Sequence, residues 1–148
     1  MQLRRYEPYR LCFQLVAIAL GIAYLATAPP PGSVAAVVGE RTHWLVYAWS
    51  AGLLLSGAGA MVGSLWTGIG AGDMILGYAI ERASLWLQSG VLFVIIAATA
   101  YVNGVRGFFG IAILLAWMVA NVWRDRQIAS VLTELRKVSE LSGPRIEE

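Results

Sequence analysis

The 148 residues contain one cysteine, Cys12, one histidine, His43, and two aspartates, Asp73 and Asp125. A lone cysteine excludes an intrachain disulfide and any multi-cysteine metal site. It is expected to pack as a small hydrophobe, although its place beside a basic N-terminus would also permit lipidation. Charge is scarce as well. Charged residues make up 14% of the chain against 58% hydrophobic ones, which is too apolar for a soluble domain of this length. The surplus apolar surface must face lipid. A net charge of +2 selects no partner by itself, so what matters is where the charges fall.

Four apolar runs are present. Leu11–Ala28 is interrupted only by Gln14, Trp44–Trp66 has no charge, and Ala83–Val102 and Phe108–Trp123 follow. A hydrocarbon core needs about 20 helical residues, so the 16-residue fourth run is expected to be the weakest by length. Lengths of this kind exclude the ten-residue alternating strands of outer-membrane barrels, and irregular backbone cannot face lipid. The chain therefore reads as all-α: four transmembrane helices in an antiparallel bundle, spanning about 11–28, 44–66, 74–102 and 106–123, plus a C-terminal cytoplasmic amphipathic helix and tail over 124–148. Arg4–Arg10, the first apolar run and Ala26-Thr27-Ala28 also imitate a signal peptide. Pro29 would obstruct cleavage, so the segment is read as a retained span.

With the N-terminus inside, nine of the eleven basic residues lie in inner segments, and only Arg41 and Arg106 lie outside. This satisfies the positive-inside rule and places both termini on the cytoplasmic side of a cytoplasmic membrane. Aromatic residues agree. Tyr6, Tyr9, Trp66, Trp86 and Trp123 fall near the inner interface, and Tyr24, Trp44, Tyr101, Phe108 and Phe109 near the outer one.

The first outer loop, Pro29–His43, opens with three prolines that end the first helix. In the inner loop 67–73, glycines alternate before Asp73, which is expected to cap a long third helix over Met74–Val102. Asn103–Gly107 reads as a tight turn joining antiparallel neighbours. Beyond Trp123, Ile128, Val131, Leu132, Leu135 and Val138 form an apolar stripe before Gly143-Pro144. The stripe suits packing on the chain's own bundle or the membrane surface, self-association, or docking of another partner.

Chemistry has little material here. His43 falls outside and both aspartates inside, so neither a Ser-His-Asp triad nor a zinc site of the usual kind can be assembled across the membrane. Gly68–Gly72 lacks the preceding strand and the spacing of a dinucleotide loop. The expectation is no enzyme, no metal, no cofactor and no nucleic acid partner.

Two constellations remain. Gly52, Ser56, Ala60 and Ser64 recur every four residues on the second span, with Gly59 and Gly63 beside them. Small residues at that spacing let helix backbones approach, either within one chain or at a seam between subunits. On the third span Glu81, Ser84 and Gln88 share a face, with Arg82 adjacent and Thr99 further along. This polar strip either borders a wet cavity or sits at the cytoplasmic end of the span, solvated or paired with tail charges such as Arg124 or Asp125. Gln14 and Asn121 are single polar residues placed to hydrogen-bond across the bundle.

The short basic N-terminus, the compact spans and the charged helical tail, in an alanine-, glycine- and arginine-rich composition, resemble the holin-type small membrane proteins of actinobacterial phages. The resemblance is one of architecture over the whole chain. It implies oligomerisation in the host cytoplasmic membrane and release or activation of a lysin, with no catalytic residues, since holins have none. Two other functions fit the residues: an accessory or scaffold subunit docked on a larger membrane complex, and a small channel or transporter with Glu81, Arg82 and Gln88 facing its path.

Overall fold

The computed structural model describes residues 8–27, 43–66 and 71–141. Among these the chain is helical: α1 (Pro8–Thr27), α2 (His43–Leu65), α3 (Ala71–Asn103), a 3-10 turn (Gly104–Gly107) and α4 (Phe108–Leu141). The loop opened by Pro29–Pro31, the basic Arg4 and Arg5, Gly68–Gly70 and the Gly143-Pro144 stop lie outside the described residues.

Among the described residues three helices, α2, α3 and α4, are long and apolar enough to cross a membrane. The weak point by length is thus the first helix, not the fourth. The apolar part of α1, Leu11–Ala26, rises about 24 Å at 1.5 Å per residue. The expected division at Trp123 corresponds to no break, because α4 runs unbroken through 34 residues. Polarity changes at Arg124, but glycine and proline are absent from 111 to 142, so nothing there interrupts the hydrogen-bond ladder.

α3 also begins earlier than expected. Asp73 lies in its first turn rather than capping it, where its charge still favours the positive end of the helix dipole. At the other end Gly104 adopts φ +49°, the left-handed conformation that glycine supplies after a helix.

Among the described residues each helix packs closely on the next in the chain. A Cβ placed on Gly21 would stand 2.7 Å from the Leu54 nitrogen, and one on Gly57 3.0 Å from the Gln14 carbonyl oxygen. Gly21 of α1 thus lies against Leu54, and Gln14 and Ala17 against Gly57. On α3, Val91 and Gly77 likewise lie against Gly52 and Gly63, while Leu92 packs with Trp117 of α4. α1 and α4 meet through side chains, with the Phe13 ring 5.3 Å from that of Trp117.

Two apolar clusters hold the helices together. Ala17, Leu92 and Trp117 form one, and Ala60, Tyr78, Leu85, Ile128 and Leu135 the other. The outside is apolar too, with Leu15, Leu55, Phe93, Ile113 and Val119 exposed. Cys12 is also exposed on this apolar outer face of α1.

Candidate functional site

The charged residues of the polar strip sit in one layer between α3 and α4. Arg124 donates from Nε to Glu81 Oε1 at 2.9 Å and from Nη2 to Glu81 Oε2 at 3.2 Å. This fork-on-carboxylate pairing is the strongest form of such a contact. It is also largely out of solvent, since Glu81 is 1% exposed. One residue along, Arg82 donates to both carboxylate oxygens of Asp125, and the Trp86 indole N–H donates to Asp125 Oδ1 at 3.2 Å. Consecutive residues on each helix thus form two parallel ion pairs. The tail charges Arg124 and Asp125 are the partners.

Further into the apolar region lies an uncharged layer. Gln88 Nε2 donates to Gln14 Oε1 at 3.1 Å, and Asn121 Nδ2 donates to Gln88 Oε1 at 3.0 Å. All three side chains are buried, and together they tie α1, α3 and α4. Away from water a lost amide partner is costly, so this network fixes how the three helices are rotated against one another.

The polar strip is therefore divided by its partners. Glu81 and Arg82 face α4, Gln88 reaches both α1 and α4, and Ser84 lies against Gly59 of α2. Thr99 sits at the far end of α3, beside Gly107.

Between α1 and α4, where backbones do not pack closely, a cleft of about 270 Å³ opens sideways. Its walls grade along α4 from Ala116, Val119 and Ala120 to Asn121, Arg124 and Gln127. Phe13 and Gln14 form the opposite wall. The cleft was not legible from the spacing of polar residues along any one helix. Gln14 and Asn121 were its only sequence signals.

The small-residue face of α2 is used inside the chain. A Cβ on Gly63 would stand 2.5 Å from the Glu81 nitrogen, one on Gly52 2.9 Å from Val91, and one on Gly59 would collide with Ser84. Ala60 is core, Ser56 donates to the Leu53 carbonyl at 3.1 Å and Ser64 to that of Met61 at 2.9 Å. Gly21 and Gly57, which bring α1 against α2, were missed because neither belongs to the four-residue series.

The tail face is likewise occupied. Ile128 and Leu135 are buried with Tyr78 and Leu85, and Val131 and Leu132 pack against them. Val138 lies within α4, but its side chain is outside the described ones. His43 begins α2, and its side chain is likewise not described.

No family model, curated protein or solved structure matches this chain.

Proposed function

We propose that the chain is an antiparallel four-helix bundle in a cytoplasmic membrane, with both ends inside, that self-associates and permeabilises the bilayer in the manner of holin-type proteins. The observation that carries this reading is the sideways cleft between α1 and α4, whose walls hold Gln14, Asn121, Arg124 and Gln127. Polar groups within a bilayer face a bundle interior or a water-filled space. Copies assembled with their clefts toward a common centre give such a space a partly polar lining, from Arg124 and Gln127 at one end, while Leu15, Leu55 and Phe93 remain against lipid. The small-residue face of α2 is spent on α3, so it does not supply the seam.

The test is inducible expression in a bacterial host with a potential-sensitive dye. The wild-type chain should collapse the membrane potential. Replacing Ala116 and Ala120 with phenylalanine, which fills the cleft, should prevent collapse while membrane accumulation is unchanged. An intact potential in cells that accumulate the wild-type chain in their membranes overturns the reading.

One observation favours a second reading, an accessory or scaffold subunit docked on a larger membrane complex. Beyond the ion-pair layer α4 presents exposed Arg126, Glu134 and Lys137, a charged surface suited to a cytoplasmic partner. Co-purification with a heterologous complex in mild detergent supports this reading, and recovery solely as a homo-oligomer opposes it.

A further inference from the structure

We propose that the α1–α4 cleft of a single chain binds one anionic phospholipid of the cytoplasmic leaflet, which self-association must displace. The inference rests on the membrane embedding proposed above.

Shape is the first argument. The lining of α4 from Ala116 to Gln127 covers eleven residue steps, about 16 Å at 1.5 Å each. One leaflet of hydrocarbon is about 15 Å, half of the bilayer core. The cleft is thus as long as a leaflet is deep. Its volume of about 270 Å³ exceeds the roughly 150 Å³ of an apolar protein cavity that takes up benzene, so a length of acyl chain fits. Polarity follows the same axis, with Phe13, Val119 and Ala120 along the chain's path and Arg124 and Gln127 at the mouth.

Charge is the second argument. At the level of the mouth α3 and α4 carry three arginines, Arg82, Arg124 and Arg126, against two carboxylates, Glu81 and Asp125. The excess is positive and suits a phosphate. Arg124 donates from Nε and Nη2 to Glu81 and from Nη1 to Gln127. Of its five N–H groups two remain for a ligand. Arg126 is exposed three residues after Trp123, a lining residue of the cleft, and so follows it on the same side of α4.

The experiment is native mass spectrometry of the full chain extracted from vesicles containing equal amounts of phosphatidylglycerol and phosphatidylcholine. One phosphatidylglycerol should be retained per monomeric chain. Arg126→Gln, an exposed change that leaves the fold intact, should lower the preference for phosphatidylglycerol about fivefold, the effect of one basic contact at an anionic surface. Ala120→Phe should remove the bound lipid. Equal retention of the two lipids, or retention of phosphatidylglycerol unchanged by both substitutions, overturns the proposal. Recovery only as a lipid-free dimer assigns the cleft to a second copy and overturns it equally. A chain that retains the lipid but leaves cellular potential intact keeps this site and loses the permeabilising function. Collapse of the potential without lipid selectivity does the reverse.

Discussion

Glu81 and Arg82 are adjacent in sequence, yet their side chains experience different surroundings. The Glu81 side chain is 2% exposed and its partner Arg124 19%, whereas the Arg82 side chain is 42% exposed. Removing one member of a buried pair leaves an uncompensated charge and costs about 3–5 kcal/mol. The Arg82–Asp125 pair is open to solvent on its arginine side only, since the Asp125 side chain is 13% exposed; it lies between the buried case and a fully exposed pair, which contributes about 1 kcal/mol or less. Arg124→Gln should therefore lower stability by about 3–5 kcal/mol and Arg82→Gln by distinctly less, about 1–2 kcal/mol, as read from equilibrium denaturation of helical content in mixed micelles. Equal losses for the two variants would contradict the burial of Glu81. Pairing with tail charges was one of the alternatives legible in the sequence, beside solvation and a wet cavity, because an isolated charge within a span is costly. The burial of Glu81 beside a half-open Arg82 was not legible, since it depends on how α3 is rotated against α4.

At the scale of the element, the glycines of α2 and α3 separate close approach from mere composition. A Cβ on Gly63 would stand 2.5 Å from the Glu81 nitrogen and 2.7 Å from the Gly77 carbonyl oxygen, and both are backbone. Neither can yield without parting the helices. Gly90 has nothing within 4 Å of the same atom. Gly63→Ala should thus destabilise the bundle by about 1–3 kcal/mol through overpacking. Gly90→Ala should be neutral or gain up to about 1 kcal/mol from helix propensity. Thermal loss of helicity distinguishes them, and the Gly63→Ala loss should not vary with protein concentration. A loss that fades on dilution would return this face to a subunit seam. The spacing of small residues revealed a close helix contact but not its partner, because α3 and a second copy of α2 present equally apolar surfaces to it. The same limit applied to α4. Its apolar stripe was readable, but its continuity past Arg124 and its seat on Tyr78 and Leu85 depended on the partner helix.

For the whole molecule, the short apolar part of α1 decides how the topology is tested. Among the described residues three helices have the length and composition to cross a membrane, and four crossings require α1 as well. If α1 crosses, the two termini share one side. Single cysteines introduced by Gln2→Cys and Ser142→Cys in a Cys12→Ala background should both resist an impermeant maleimide in intact cells and react after lysis. Arg41→Cys should react from outside. Labelling of Gln2→Cys but not Ser142→Cys in intact cells would leave three crossings and reverse the first helix's role.

Helix formation, the apolar lengths and the gathering of charge near one end of the spans are local or compositional properties, so the order of residues determines them without reference to neighbours. Tertiary structure alone decided which face of each helix turns inward. The spans are apolar nearly all round, so they carry little periodicity to orient them, and a step of one residue turns a helix by 100°. Close approach at Gly63, two ion pairs between α3 and α4, and the Gln14–Gln88–Asn121 hydrogen bonds supply that orientation. α1 and α4 meet through side chains alone, and the cleft lies between them.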